Sequence, residues 1–323
     1  DWVPGLRFAA PGMTIMGFVA ALILFPAMDS SAAAYPDKPV TYIIPFGAGG
    51  ESGVTARLQE PVFKRLAGQD LVIKYRPGGG GAVVWNQLNA MPADGYTIVG
   101  INLPHIILQP LRGAKYKTRD IAAVSIFHYT PHALIVRADS RPKTFNDLME
   151  EIAKRRVTFS GSGKGSANHL AQVQFDRLKG VKTAYKPYKG TAASVQALLQ
   201  GKVDAAWGYT TVGAKYRGDV RMLAVAMEER HPEFPDVPTF KELGIDMVGG
   251  AYRGIAVPKA TPEAIKQRLS KLVRDITYDA DYDAEQTELG FVPLDVPLED
   301  VKGFIADRIA EFVPLARAAG LIK

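Results

Sequence analysis

An α/β fold in two domains facing a cleft is what this sequence predicts, and three observations predict it. Two glycine-rich loops, Pro45 to Gly53 (PFGAGGESG) and Ser160 to Ser166 (SGSGKGS), each follow an apolar run and precede a helix-like run. Short apolar strands alternate with helical patterns along most of the chain, the signature of βαβ units and a parallel sheet. With 323 residues the chain exceeds one ordinary core, and two domains of roughly 100–200 residues each would absorb it. Hydrophobic residues at 47% against 22% charged ones are a globular composition, and the sequence shows no fixed repeat.

Residues 1–34 stand apart. Arg7 precedes the apolar stretch Met13 to Met28, and small residues from Ser30 to Ala34 close it, with Ala32 and Ala34 spaced as signal peptidase requires. The expectation is a signal peptide, with a mature chain from near Tyr35. A membrane anchor fits less well, because Gly17 and Pro26 interrupt a run shorter than the roughly 20 apolar residues of a span. No later segment is apolar enough to span, and the absence of cysteine excludes a disulfide framework and a lipidated cysteine, so the product is expected to be soluble. Removing Asp1, Arg7 and Asp29 moves the formal charge from +6 to +7. Lys154, Arg155 and Arg156 form the densest basic cluster, which reads as a solvated helix end and not as a nucleic-acid surface.

The elements follow in order. Val40 to Pro45 reads as a buried strand, leading through the first glycine loop to a helix over Val54 to Leu66 that Pro61 would kink. Leu71 to Tyr75 is a second strand, Arg76 to Gly81 (RPGGGG) a turn, Ala82 to Ala90 a helix, and Tyr96 to Gly100 a strand after the Asp94–Gly95 turn. A second series opens with strand Ala133 to Arg137. Thr144 and Asp147 then form a capping box for a helix ending near Lys154. Strand Val157 to Ser160 feeds the second glycine loop. Helix Ala167 to Leu178, strand Thr183 to Lys186, helix Thr191 to Gln200 stopped by Gly201, and strand Val203 to Tyr209 continue the alternation. Thr261 and Pro262 open a helix through Tyr278, and Leu298 to Ala319 supplies a last one.

The two loops read as halves of one anion site, because glycine lets backbone N–H groups approach a ligand and each following helix turns its positive end toward it. Neither loop has the spacing of a P-loop, and Gly78 to Gly81 lacks the third glycine of a dinucleotide fingerprint. No cysteine nucleophile, G-x-S-x-G elbow or H-E-x-x-H motif is present, so the residues give catalysis no seat. His128 and His132 are four apart, but Pro131 breaks a shared helix and no carboxylate is near in sequence; they read as surface or hinge histidines, and neither metal nor cofactor is expected. Lys164 is either the cation for a bound anion or an ordinary solvated lysine. Glu51 opposes an anion unless it points away or meets a ligand proton or amine, and both readings stay open. Tyr188, Trp207, Tyr209 and Tyr252 near strand ends either stack on a ligand or simply pack.

Ordered motifs from Tyr35 to Lys323 are similar to those of the solute-binding proteins of tripartite tricarboxylate transporters, the Bug family. YPDKPVTYIIPFGAGG (Tyr35 to Gly50), RPGGGG (Arg76 to Gly81) and PADGYTI (Pro92 to Ile98) resemble that family's first half. SGSGKGSANHL (Ser160 to Leu170), PYKG (Pro187 to Gly190) and FPDVPTFKELG (Phe234 to Gly244) resemble its second half.

The resemblance implies a two-lobed type II periplasmic binding fold, each lobe a mostly parallel sheet flanked by helices, with a hinge and a central cleft. Lobe one would comprise residues 35–131 plus 248–323, and lobe two residues 132–247. It implies a monomer that captures a small carboxylate in the periplasm and delivers it to the membrane permease subunits. The ligand would meet Phe46, Gly49, Gly50, Glu51 and Ser52 on one lobe and Ser160, Ser162, Lys164, Gly165 and Ser166 on the other, with Asn102 and Tyr188 completing the wall. Many relatives carry an aspartate, suited to an ammonium group, where this chain has Gly53, which disfavours amino acids and leaves aromatic or dicarboxylic acids. A sensor for a membrane kinase and a periplasmic enzyme are the rival readings.

Overall fold

The fold is organised by one long strand. The structure, a computed structural model, describes residues 35–323; the expected signal peptide lies outside the described residues. In chain order the elements are β1 (Val40–Ile44), α1 (Glu51–Ala67), β2 (Leu71–Tyr75), α2 (Ala82–Trp85), β3 (Thr97–Leu103), α3 (His105–Leu111) and β4 (Ala122–Arg137). They continue through α4 (Phe145–Lys154), β5 (Thr158–Ser162), α5 (Ala167–Lys179), β6 (Ala184–Tyr188), α6 (Thr191–Leu199), β7 (Ala205–Tyr209), α7 (Thr210–Lys215) and β8 (Val220–Val225). The chain closes with β9 (Gly250–Val257), α8 (Glu263–Thr277), α9 (Ala280–Glu288), β10 (Val292–Val296) and α10 (Val301–Ala318).

The strands follow the path β2-β1-β3-β9-β4-β7-β5-β6, with β8 and β10 also on β4. The first part of β4, Ala122 to Pro131, pairs with β9 and β10; the second, His132 to Arg137, pairs with β7 and β8. One strand thus serves two sheets. Outer strands are parallel, as βαβ reasoning expects, whereas every pairing of β4, and that of β3 with β9, is antiparallel. The sheets are therefore mixed, because β4 and β9 connect the two halves directly instead of through crossover helices. The return path runs beside the outgoing one: His132 N–H donates to the Gly249 carbonyl at 3.0 Å. A Cβ on Gly250 would lie 2.0 Å from the Thr130 carbonyl oxygen, so glycine is what permits this approach.

Apolar clusters cover both faces of each sheet. Trp85, Leu103, Ile106 and Phe312 pack on one face of the first sheet, and Tyr42, Phe63, Leu269 and Tyr282 on the other. Phe159, Phe175, Trp207 and Phe240 fill one side of the second. Leu170 of α5 packs into the first sheet's cluster against α10, so the helix after the second glycine loop is docked on the opposite half of the molecule.

Several expectations need adjustment. The helix expected over Ala82 to Ala90 breaks into α2 and a separate turn at Leu88–Ala90. Strand Ala133 to Arg137 is only the end of β4, whose earlier residues carry Ser125, His128 and Thr130 among apolar ones and so hide the pattern. His128 and His132 are not surface residues: both are buried in β4, His128 stacked on Phe291 at 4.8 Å and His132 on Tyr209 at 5.7 Å. The short helices α3 and α7, and strands β8 to β10, were not legible from periodicity.

Candidate functional site

The first glycine loop leaves β1 and turns into α1, which begins at Glu51, three residues before the expected start. Gly47 to Gly50 are exposed, and Gly49 has φ +77°, a left-handed conformation glycine adopts freely. Gly50 is the N-cap and has no side chain to cap with. Among the described residues none accepts the N–H of Glu51 or Ser52, so these helix-end donors are available to a ligand. Phe46 packs edge-on against Trp85 and His105. Gly53 is buried, and a Cβ there would approach the Tyr75 ring at 3.0 Å; that ring fills the space an aspartate would need.

The second loop is built differently. Ser166 caps α5, accepting from His169 N–H at 3.4 Å and donating to the Ser162 carbonyl at 2.9 Å. Asn168 Oδ1 accepts from the Ser162 hydroxyl at 2.6 Å, and His169 Nδ1 accepts from Gly165 N–H at 3.3 Å. Gly165 has φ +78°, and Arg112, from the end of α3, donates to the Lys164 carbonyl at 3.0 Å. Burial, helped by the nearby Lys164 and Arg112, pushes the His169 imidazole down to about 4, so it is neutral at pH 7.

A buried ionic group ties the halves together. Arg253 stands on β9 directly opposite Asn102 on β3, so both side chains rise from one face of the sheet. Asn102 Nδ2 donates to Ser52 Oγ at 3.0 Å. The Arg253 guanidinium pairs with Glu51, donates to Thr130, and lies 3.3 Å from the Ala251 carbonyl. Thr211, on α7 beyond the second sheet, donates to the other oxygen of Glu51. Tyr209 sits beside Ser162 and within the field of Glu51 and Arg253; burial first, and Glu51 next, keep its phenol protonated. Burial and then the charge of Arg253 push His105 down to about 4.

Of the residues expected to bind, Phe46, Gly49, Gly50, Glu51, Ser52 and Asn102 gather at the first loop, and Ser162, Lys164, Gly165 and Ser166 at the second. The Arg112, Thr211 and Tyr209 contacts join the two groups. Ser160 faces away: it is fully buried, donating to the Ser194 carbonyl at 3.1 Å and accepting from the Ser194 hydroxyl at 2.8 Å. Tyr188 ends β6 with a buried hydroxyl that has no partner among the described residues, and Lys164 is exposed. Trp207 and Tyr252 are buried in their sheets' cores. Arg253 and Thr211 escaped sequence reasoning. The signal for Arg253 was a lone charge in the apolar run Gly250 to Val257; Thr211 left none.

A family model described as "Tripartite tricarboxylate transporter family receptor" matches residues 54–321. The chain belongs to that family. It is similar to Protein BugT of Bordetella pertussis, 28% identical over 303 residues that cover 91% of this chain and 93% of BugT. Its fold is similar to the solved structure of the periplasmic binding protein BugD, with TM-score 0.79 and 26% identity over 90% of this chain and 100% of that one. A Rhodopseudomonas palustris protein solved with adipate gives TM-score 0.81 and 26% identity, covering 89% and 99% of the two chains. The fold is thus the mixed α/β architecture of periplasmic binding proteins, a sheet flanked by helices.

Proposed function

We propose that the protein is a periplasmic receptor that closes two lobes on a small carboxylate and presents it to the membrane subunits of a tripartite tricarboxylate-type transporter. Lobe one is residues 35–131 plus 248–323 and lobe two residues 132–247, which places both crossings where β4 changes partners and where Gly249 returns beside His132. The observation that carries the reading is the uncapped start of α1 standing beside a buried guanidinium, with the second loop held opposite. Helix-end N–H groups and a guanidinium both recognise carboxylates. The ligand meets Gly49, Gly50, Glu51 and Ser52 through the backbone, with Phe46, Asn102, Ser162, Lys164, Gly165, Ser166 and Tyr188 around it. Ser160 shapes the strand beneath. The protein acts as a monomer, and a ligand touching both lobes favours the closed state by its differential contacts. Titration calorimetry with adipate, malate, citrate, benzoate, glutamate and glucose tests this. Saturable binding of one acid class is expected; heat from glucose alone, or from no acid, would overturn the reading.

A further inference from the structure

The pairing of Glu51 with Arg253 places a protein carboxylate inside the site proposed to receive a ligand carboxylate. Arg253 has a side chain only 6% exposed, and its Nε has no partner among the described residues. Glu51 is the one carboxylate paired with it among those residues. A guanidinium so buried is costly without an anion, so a carboxylate in this seat stabilises the fold. Glu51 presents two oxygens to it in the manner a ligand would, one to Arg253 and one to Thr211 of the other lobe. It also stands at the end of the exposed loop Gly47 to Gly50, with its own side chain 18% exposed, so the seat borders water.

We propose that Arg253 and Thr211 form the anion seat for the ligand's carboxylate and that Glu51 is a built-in stand-in, which the ligand displaces. The inference rests on the carboxylate reading above and deepens it: affinity is set by competition between ligand and Glu51. Removing the Glu51 carboxylate therefore opens a vacancy that small acids fill. Arg253 then binds the ligand and Glu51 tunes how tightly.

The test is thermal melting of the wild-type protein and of Glu51→Ala with propionate, whose one carboxylate suffices to fill the seat, followed by calorimetry with adipate and malate. Glu51→Ala is expected to melt lower than wild type, to recover with propionate in a saturable way, and to bind the acid that wild type binds at least about tenfold more tightly. Wild type is expected to ignore propionate. The double variant Glu51→Ala/Arg253→Gln, which leaves no lone buried charge, is expected to fold and to lose the propionate response. A Glu51→Ala protein indifferent to propionate, a response that survives in the double variant, or unchanged or weaker binding of the acid would overturn the proposal. If Glu51→Ala takes propionate while wild type binds no acid of the wider panel, the seat stands and the transport-ligand reading falls.

Discussion

The two glycine-rich loops look alike in sequence and are opposite in construction. The loop before α1 is exposed, ends in a helix with no side-chain cap, and leaves its first N–H groups open. The loop before α5 is buried at Gly165 and Ser166, capped by Ser166, and tied by Asn168, His169 and Arg112. A loop whose polar groups are already bonded to the protein gains little by rearranging around a ligand, whereas one with open donors does. The first loop therefore has donors to offer, and the second is a fixed wall; in the proposed site the first would be the receptive side.

The largest effect that would break this contrast is expected at Asn168. It is fully buried, holds both the hydroxyl and the N–H of Ser162, and reaches the Gly208 carbonyl at 3.4 Å. Asn168→Ala should lower stability by about 1–3 kcal/mol, the cost of orphaning buried polar groups. Ser52→Ala in the first loop removes one partner of Asn102 beside a half-buried helix end where water can replace it, and should cost under about 1 kcal/mol. Chemical denaturation of both variants checks the order. Equal losses would mean that the first loop is as fixed as the second.

A second effect sharpens the contrast through pH. His169 is held neutral in the folded protein down to about pH 4, but its ordinary value is 6.5. The unfolded chain therefore binds the extra proton first, so the contribution of His169 is fully present above pH 6.5 and is lost as the pH falls from 6.5 toward 4. The slope from one such group is at most about 1.4 kcal/mol per pH unit. Lys164 and Arg112 face the imidazole and oppose its protonation. His169→Asn keeps an acceptor near Gly165 N–H without titrating, and its stability measured from pH 7 to 4 should fall less steeply than that of wild type. Parallel curves would show that His169 is not locked in the wall.

Much of this was legible in the sequence, for reasons that particular residues make plain. Strand Leu71 to Tyr75 and the Thr144/Asp147 capping box announce themselves locally, and both appear as expected. The loops were found because glycine clusters mark backbone that must turn or approach a ligand. Their difference was not, since whether Ser162 faces Asn168 or a ligand depends on which rotamer tertiary packing selects. Ser160 shows the same limit: only the arrival of Ser194 from α6 decides that its hydroxyl points into the core. The pairing of Glu51 with Arg253 joins residues 202 apart, and nothing in either neighbourhood predicts it. Long-range ionic contacts of this sort are set by sheet register, here the pairing of β3 with β9 that lifts Arg253 beside Asn102.

The smallest expected effect separates two neighbouring glycines of the receptive loop. Gly49 has φ +77° with nothing within 4 Å of where a Cβ would stand, so Gly49→Ala pays only for backbone conformation, about 1 kcal/mol. Gly50 has φ −76°, and its Cβ would sit at an ordinary 3.4 Å from the Gly47 carbonyl oxygen. Gly50→Ala should therefore fold with a change within about 0.5 kcal/mol, the conformational gain in the unfolded chain offsetting a slightly poorer N-cap. Its methyl nevertheless stands at the mouth of the helix end, where the carboxylate proposed above would approach. Gly50→Ala should thus lose affinity while keeping stability, and Gly49→Ala should lose both together. Calorimetry beside thermal melting reads the difference: a Gly50→Ala protein with undiminished affinity would place the carboxylate away from the start of α1 and leave Arg253 as the principal anion seat.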